Sequence, residues 1–243
     1  MDIVICGNGR LGGAIAVAAE GRGETVRLVG RPTNGRHSRE VFAGSDVVID
    51  ASRADAVADN VAAALEAGVR RFVIATTGWD ADRPHIQGLV ERAGGAAIVA
   101  SNLSLGAAVF MRLVSSAAGA FGSLPGFDPF LWEWHRRGKA DRPSGTAREL
   151  ARRIVAANPA AADLEIAVTR AGESPGTHVV GFDAAGETIE LRLTGRDRSA
   201  YAAGALAAAD WLTAEAREPG LHPFDHVVDA FMTTHVPVVR SAA

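Results

Sequence analysis

The chain has 243 residues, of which 48% are hydrophobic and 22% charged, and its formal net charge at pH 7 is −3. This composition excludes a disordered or fibrous chain, and the charge gives no general attraction to nucleic acid or to an anionic membrane surface. The single cysteine, Cys6, excludes an intrachain disulfide and a cysteine-rich metal site, and we expect it to be a buried core residue.

Residues 2 to 101 alternate short apolar runs with alanine-rich helical stretches. The apolar runs are DIVICG, TVRLVG, DVVIDAS, RFVIATT and AAIVAS, and helices are predicted over 11–21, 54–67 and 81–93. Such runs, separated by helices, are typical of buried parallel strands with crossover connections. The pattern predicts an α/β fold whose N-terminal domain, residues 1–103, is a doubly wound parallel sheet of the Rossmann type.

From residue 104 the pattern changes. A helix is predicted over 104–121, a strand over 129–137 and a helix over 144–158, followed by the runs LEIAVTRA, THVVGF and TIELRLTG. These three runs are predicted to be antiparallel strands, with a hairpin turn at DAAGET. Together they predict a C-terminal α+β domain over 104–212 with an open mixed or antiparallel sheet. The segment 199–216 is predicted to be helical, and 213–243, with a further short helix, to pack back on the first domain.

The sequence has no pattern of export or membrane insertion. The first apolar run is not preceded by the basic segment of a secretory signal. No apolar stretch approaches the ~20 residues of a membrane span. We therefore expect a cytoplasmic protein with neither a membrane nor a nucleic-acid partner.

A glycine-rich hexapeptide follows the first predicted strand and opens a helix. It consists of Gly7, Asn8, Gly9, Arg10, Leu11 and Gly12. In this context glycines permit a tight turn and the close approach of a pyrophosphate, which lies against N–H groups at the helix N-terminus. The motif predicts a dinucleotide site, and the alternative is a merely structural glycine turn.

The ends of the later strands indicate how a dinucleotide would be read. The second strand ends at Gly30-Arg31, without the acid typical of NAD-selective sites. Arg31 can pair with a 2′-phosphate, which favours NADPH over NADH, unless it is only a solvated loop charge. Turns at the carboxyl ends of strands are expected to line the nicotinamide side of the site. Those assigned to the cofactor contain Ala75, Thr76, Thr77, Ala100, Ser101, Asn102 and Leu103.

The stretch 133–147 carries the residues best suited to chemistry. A strand end and a loop place His135 and Lys139 close together, and Pro143-Ser144-Gly145-Thr146 opens a helix. Ser144 is a candidate N-cap, and the free N–H groups after it can hold a carboxylate. Reduction of an imine or conjugated double bond needs hydride from a cofactor, a proton donor and a partner for the substrate's negative charge. A plain helix cap, a structural histidine and a solvated basic face are the alternatives.

This stretch resembles the signature H-H-x-x-K-x-D-x-P-S-G-T-A of the 4-hydroxy-tetrahydrodipicolinate reductases, also called dihydrodipicolinate reductases, of lysine and diaminopimelate biosynthesis. The matching residues are His135, Lys139, Asp141, Pro143, Ser144, Gly145, Thr146 and Ala147. The resemblance spans nearly the whole chain. It includes Thr-Thr-Gly at 76–78, Asn102 with Gly106, Arg170-Ala171-Gly172 followed by Gly176 and His178, and Arg198 with Tyr201 and Gly204.

The resemblance implies an NAD(P)H-dependent reductase that converts a cyclic dicarboxylate to tetrahydrodipicolinate. His135 and Lys139 would then carry the proton-donor roles, and Gly145 and Thr146, after the Ser144 cap, would hold a substrate carboxylate. The glycine loop, Arg31, 75–77 and 100–103 would hold the cofactor. The family also implies a hinge-closing two-domain subunit and a homotetramer joined through the sheets of the second domain.

This sequence departs from the family pattern around the expected pocket. Arg136 stands where the family has a second, substrate-binding histidine, and Leu193 stands where a histidine is often found on the last long strand. Ser101 replaces a proline, Ala51 replaces an aromatic residue, and the glycine loop is one residue shorter than usual. Two alternatives stay open: a paralogue that reduces another imine or enamine acid, and a nucleotide-binding sensor that performs no chemistry.

The remaining histidines show no pattern of metal ligation. His178 is a weaker candidate for the substrate pocket, with a structural role as the alternative. No metal is expected from the spacing of the others, which are His37, His85, His222, His226 and His235.

Overall fold

A computed structural model describes residues 1–32 and 35–235, and these form two compact units. Unit 1 contains Met1–Leu105 and the described residues from Arg198 onward, and unit 2 contains Gly106–Asp197. Residues 33, 34 and 236–243, and the side chains of Thr234 and His235, lie outside the described part.

The elements follow the predicted alternation closely. Unit 1 begins with β1 (Asp2–Cys6), α1 (Arg10–Gly21), β2 (Thr25–Val29), β3 (Val47–Asp50), α2 (Val57–Glu66), β4 (Arg71–Ile74), α3 (Arg83–Arg92) and β5 (Ala96–Val99). The next elements are α4 (Leu105–Gly122), β6 (Asp128–His135), α5 (Gly145–Ala157), β7 (Ile166–Arg170), β8 (Thr177–Ala184) and β9 (Glu187–Thr194). The chain returns to unit 1 as α6 (Ser199–Ala214), β10 (Gly220–Pro223) and α7 (Asp225–His235).

Unit 1 is built on a parallel sheet of six strands in the order β10-β5-β4-β3-β1-β2. Every neighbouring pair is parallel, which confirms the predicted doubly wound sheet. Residues 3–6 of β1 have no exposed surface, because helices cover the sheet. Burial raises the pKa of the Cys6 thiol, so this cysteine is a core residue as expected. Since the strands are parallel, the turns after β1 to β5 lie at one edge of the sheet.

The sixth strand, β10, was not predicted. It pairs in parallel with β5 from Gly220 to Pro223. Four residues ending in proline carry no strand signal of their own. Proline is tolerated here because β10 is an edge strand and Pro223 is its last residue.

Helix α6 belongs to unit 1, which differs from the predicted domain boundary at residue 212. It packs on α1 and on β3, β4 and β5 through small side chains. A Cβ added at Gly204 would lie 1.6 Å from the carbonyl oxygen of Leu103, so the helix backbone touches the turn after β5. An alanine-rich helix does not reveal its partner, because small apolar faces fit any close contact. The described part of the 213–243 segment also lies in unit 1.

Unit 2 is a mixed four-stranded sheet, β7-β6-β8-β9, with α4 and α5 packed on one face. The hairpin β8–β9 is antiparallel as predicted, and β8 is antiparallel to β6. The prediction that LEIAVTRA is antiparallel is wrong, since β7 runs parallel to β6. The reason is that α5 connects β6 to β7 and makes a βαβ crossover, which returns the chain in the same direction.

Helix α4 corrects a second expectation. Among the described residues it alone is long and apolar enough to cross a membrane by length and composition, with a mean hydropathy of 1.4 over 18 residues. Core helices of soluble proteins pass the same test. Phe110, Val114 and Ala118 of α4 pack in the core of unit 2, and 22% of the 18-residue window is buried.

Candidate active site

The glycine loop of unit 1 is shaped by backbone packed against backbone. Gly7 has φ +106° and donates its N–H to the Val29 carbonyl at 2.8 Å. A Cβ on Gly7 would lie 2.3 Å from the carbonyl oxygen of Ala51, and one on Gly12 would lie 1.7 Å from that of Gly7. No side chain can occupy these two positions without moving the backbone. The predicted tight turn between β1 and α1 is present.

The N-terminus of α1 is open to an anion. Its N-cap, Gly9, makes no side-chain capping bond, and a Cβ built there meets no atom within 4 Å. The first N–H groups of the helix therefore have space in front of them and a favourable dipole. Asn8 and Arg10 are exposed and Leu11 is half-buried. The arrangement fits the pyrophosphate of a dinucleotide.

The turn after β3 is organised around the carboxylate of Asp50, which is 2% exposed. This carboxylate accepts hydrogen bonds from the Thr76 hydroxyl at 2.5 Å, the Ser52 hydroxyl at 2.7 Å and the Asn60 amide at 2.8 Å. The Thr76 carbonyl accepts another from the Trp79 indole at 2.7 Å. Thr76 therefore fixes the shape of the turn at which we predicted a cofactor contact.

The other predicted cofactor residues of unit 1 also lie at this edge. Arg31 and Thr77 are exposed, while Ala75 and Ala100 are half-buried. In the turn after β5, Ser101 is exposed, and the Asn102 side chain accepts the Ser104 N–H at 2.9 Å. Leu103 is buried against α6. Parallel pairing thus brings residues from five strand ends to one edge, which is where such sheets bind ligands.

In unit 2, the N-terminus of α5 is capped as predicted. Ser144 Oγ accepts the N–H of Ala147 at 3.2 Å, and the Ser144 N–H donates to Glu133 Oε1 at 3.0 Å. Ser144 is buried, Gly145 is exposed and Thr146 is half-buried. The helix therefore presents its first N–H groups at a fixed orientation, as an anion site requires.

Lys139 and Asp141 form an ion pair beside this helix end. Lys139 Nζ lies 2.5 Å from Asp141 Oδ1. The hydrogen bond from Lys139, with help from the Gly145 N–H, holds the pKa of Asp141 below its ordinary value. Lys139 is the only lysine of the chain, although lysines and arginines number 25 in all. The only lysine side chain of the protein therefore lies at the motif position where the family signature has a lysine.

The inward face of the sheet in unit 2 holds a buried carboxylate between two histidines. Glu133 is fully buried and accepts the guanidinium of Arg170 at 2.7 Å. His135 Nδ1 lies 3.3 Å and His178 Nε2 3.6 Å from Glu133 Oε2. The ligand atoms of these three residues lie within 4.8 Å of one another, a grouping that spacing along the sequence does not reveal.

Both histidines are neutral at neutral pH. Burial, and after it the neighbouring His135, lower the pKa of His178 to about 4. Burial also lowers the pKa of His135, against the opposing effect of the Glu133 carboxylate. Burial by itself raises the pKa of Glu133, but hydrogen bonds from Ser144 and Arg170 outweigh it and keep that carboxyl ionised.

The two halves of the chain each match a described family. Residues 1–103 match the N-terminus of dihydrodipicolinate reductase, and residues 106–228 match its C-terminus. The chain belongs to the dihydrodipicolinate reductase family. This confirms the resemblance drawn from residues 135–147.

Individual dihydrodipicolinate reductases are similar over most of their length. The 4-hydroxy-tetrahydrodipicolinate reductase of Wolinella succinogenes is 38% identical over 199 residues, which cover 74% of this chain and 75% of the relative. That of Archaeoglobus fulgidus is 36% identical over 203 residues, covering 76% of each. The solved, dipicolinate-bound dihydrodipicolinate reductase of Paenisporosarcina sp. TG-14 shares the fold, with a TM-score of 0.73 at 22% identity over 92% of this chain and 97% of that one.

Two residues that depart from the dihydrodipicolinate reductase pattern, Arg136 and Leu193, lie in different surroundings, the first exposed and the second packed against the core of unit 2. Arg136 is exposed and follows the buried His135 at the end of β6. Leu193 pairs with His178 across β8 and β9 and packs against the core of unit 2. An apolar side chain thus stands beside His178 where the family often has a polar one.

Sequence reasoning gives no role to Glu133 or Arg170, and it places Asp50 only in a strand-end turn expected to line the nicotinamide side of the cofactor site. Glu133 does have a signal, because it alternates with Leu131 and His135 on the inward face of β6, where a charge is exceptional. Asp50 has a similar sequence signal, because a charged residue ends a strand whose other residues are apolar and buried.

Proposed function

We propose that this chain is a 4-hydroxy-tetrahydrodipicolinate reductase of lysine and diaminopimelate biosynthesis. The net reaction adds a hydride and a proton, replaces the 4-hydroxyl group by hydrogen and releases water. The observation that carries the proposal is the sole lysine, Lys139, beside the capped N-terminus of α5 in a chain of this family. A chain that uses arginine everywhere else keeps an amine where a proton must be given up, which arginine cannot do.

The substrate's carboxylate would bind at the N-terminus of α5. The N–H groups of Gly145 and Thr146 would hold it, with the Lys139 ammonium supplying the opposing charge. Lys139 would exchange its partner Asp141 for the substrate, since both offer a carboxylate. Arg136 is exposed at the same loop, and a guanidinium can pair with a second carboxylate in a bidentate manner.

Proton delivery falls to His135 and Lys139. The pKa of His135 is low in the unliganded protein, and a bound dianion would raise it, because opposite charges favour the protonated imidazole. Substrate binding would thus load the proton that the reaction consumes. Lys139 is the second donor, and its charge helps to stabilise the anionic substrate.

The cofactor is a nicotinamide nucleotide, and we propose that NADPH is preferred over NADH. Bound to unit 1, it would supply the hydride. Gly7 and Gly12 let the turn pack backbone against backbone, and Gly9 leaves room for the cofactor's pyrophosphate at the N-terminus of α1. The exposed Arg31 follows β2, where no carboxylate is present to select a free ribose, and its guanidinium suits a 2′-phosphate.

Steady-state kinetics with freshly generated 4-hydroxy-tetrahydrodipicolinate and each cofactor test this function. We expect turnover with both and a lower KM for NADPH. Lys139→Arg keeps the charge but gives up no proton, so kcat should fall by roughly two orders of magnitude with little change in KM. Lys139→Ala should raise KM as well. Absence of turnover by the wild-type protein would refute the proposal.

A paralogous function is the second candidate, motivated by Arg136 and Leu193. Such an enzyme would reduce another cyclic or open-chain imine or enamine acid. Arg136→His and Leu193→His should then increase kcat/KM for 4-hydroxy-tetrahydrodipicolinate. If neither change improves turnover of this compound, the paralogue hypothesis loses its basis.

We also propose a homotetramer assembled through the sheets of unit 2. The outer face of β6 carries Trp132 and Trp134, which are half-buried and stack with ring centroids 6.3 Å apart. Partly exposed tryptophans on an uncovered sheet face are typical of an interface. Sedimentation should give a mass four times that of the chain, and Trp132→Glu should lower it. The cytoplasmic location stays a prediction.

A further inference from the structure

Glu133 carries a full charge at a place without solvent. It lies on the inward face of β6 with 0% exposure. A buried carboxylate is costly unless each oxygen finds donors. The partners of its two oxygens therefore indicate what the residue does.

One oxygen, Oε1, is fully committed to structural donors. It accepts the backbone N–H of Ser144 at 3.0 Å and the guanidinium of Arg170 at 2.7 Å. The side chain of Arg170 is itself 7% exposed, so this ion pair is shielded from water. These two bonds fix the position and the rotation of the carboxylate.

The other oxygen, Oε2, faces an unpaired nitrogen. His135 Nδ1 lies 3.3 Å away, and both atoms are buried without a conventional hydrogen-bond partner among the described residues. A proton on Nδ1 would satisfy both atoms at once. The imidazole would then offer Nε2 as the nitrogen that exchanges protons with a ligand.

The surroundings of Nε2 agree with this orientation. A Cβ added at Gly176 would lie 2.9 Å from it, so any other residue at this position would crowd the nitrogen that must reach a ligand. A cation bound between Glu133, His135 and His178 is the rival use of the cluster. Arg170 argues against it, because its guanidinium already neutralises the carboxylate.

We propose that Glu133 is a positioning residue, which holds His135 as the Nδ1–H tautomer and so directs Nε2 to the substrate. Glu133 does not touch the substrate and acts only through His135. The kinetic part of this inference rests on the proposed reductase function. A carboxylate that orients a catalytic imidazole through Nδ1 is a recurrent device in enzymes.

Several charged or titratable groups act on His135 from the elements around it. They are Glu133 on the same strand, Arg170 on β7, His178 on β8, and Lys139 and Asp141 in the following loop. Of these, the carboxylates favour the protonated imidazole and the cations oppose it. Glu133 ranks first among the groups that favour it.

The substitution Glu133→Gln tests the inference, because an amide has one acceptor oxygen and one donor NH2 group and can therefore fit here in only one orientation. Its oxygen must replace Oε1, where two donors point, so its NH2 group must face His135 Nδ1. Nδ1 then becomes an acceptor, and the imidazole changes to the Nε2–H tautomer. We expect kcat to fall about 100-fold with little change in KM. The alkaline limb of the kcat/KM profile should also move to lower pH, because the imidazolium loses its nearest anion.

Nitrogen chemical shifts of the His135 ring report the tautomer without any turnover. Wild-type protein above the pKa of His135 should show a protonated Nδ1, and Glu133→Gln a protonated Nε2. A wild-type ring protonated at Nε2 would overturn the inference, even if the variant failed to fold. If the wild-type enzyme turned over no substrate, the reductase function would fail while this measurement still tested Glu133.

A double substitution separates positioning from general support of the fold. If Glu133 acts through His135, Glu133→Gln should cost no further activity in a His135→Asn background. Additive losses would contradict the proposal. Glu149→Gln, which removes another ion-paired carboxylate of unit 2 from the outside of α5, is the control and should leave the pH profile unchanged.

Discussion

Acidification should destabilise the protein through His178 at a higher pH than through Glu133. This imidazole is 5% exposed, and burial, followed by the nearby His135, lowers its pKa from 6.5 to about 4. Glu133 opposes the shift, while Lys139 and Arg170 add to it. The unfolded chain therefore binds a proton that the folded chain refuses. The contribution of neutral His178 to the unfolding free energy is fully present above pH 6.5 and is lost as the pH falls toward 4.

The size of the effect follows from the shift. A change from 6.5 to about 4 corresponds to about 3 kcal/mol of unfolding free energy, of which about 2 kcal/mol is lost by pH 5. Glu133 acts in the same direction but in a lower window, because its pKa lies below the ordinary value of 4.5. Between pH 7.5 and pH 5, the contribution of His178 can thus be measured without that of Glu133.

Urea unfolding at pH 7.5 and pH 5, followed by tryptophan fluorescence, measures this loss. Trp132 and Trp134 report on unit 2, which contains His178. His178 Nε2 lies 3.2 Å from Ser144 Oγ, and His178→Gln keeps a group that can hydrogen-bond to this hydroxyl but cannot titrate. The wild type should lose about 2 kcal/mol more than this variant between the two pH values. His85→Gln, at an exposed position, should behave as the wild type does. Equal losses in the wild type and His178→Gln would refute the reasoning.

Three further predictions concern unit 1. Gly12→Ala places a Cβ 1.7 Å from a carbonyl oxygen, so it should lower the unfolding free energy by about 1–3 kcal/mol and abolish dinucleotide binding measured by calorimetry. At Gly13 a Cβ meets no atom within 4 Å, so Gly13→Ala should preserve both the stability and the binding. Equal behaviour of the two would contradict the packing described. Asp50→Ala removes the acceptor of the Thr76 hydroxyl and should lower the unfolding free energy by about 1–3 kcal/mol. Asp50→Asn keeps an acceptor oxygen and should lower it less. An unchanged unfolding free energy would show that this hydrogen-bond network does not stabilise the fold. Arg31→Ala should raise the KM for NADPH about tenfold and leave that for NADH unchanged, and a parallel rise of both would exclude a 2′-phosphate contact.

The features that the sequence predicts well are those whose cause is local. The strand, glycine turn and helix at residues 2–21 depend on a continuous apolar run and on positions where only glycine fits. The cap at Ser144 likewise follows from a hydroxyl three residues before an N–H that needs an acceptor. For these elements, neighbouring residues contain the whole physical reason.

Other features depend on which distant segments pair. β10 carries too few apolar residues to be recognised, and it exists because the edge of β5 offers unpaired backbone groups. α6 lies in unit 1 because Gly204 fits against the turn at Leu103. The sequence of an alanine-rich helix does not predict which segment it will contact. The pattern predicts the wrong direction for β7 because it suggests antiparallel neighbours, whereas β7 pairs in parallel with β6.

The sequence alone thus determined the family, the two-part organisation and the loop that carries His135 and Lys139. Only the tertiary structure showed that Glu133 stands between His135 and His178 and is paired with Arg170, 37 residues away. The physical reason is strand register: β6 pairs with β7 and β8 so that His135 lies beside Arg170, and Glu133 beside His178, on one inward face. A buried charge is tolerated there only because those pairings bring its partners to it.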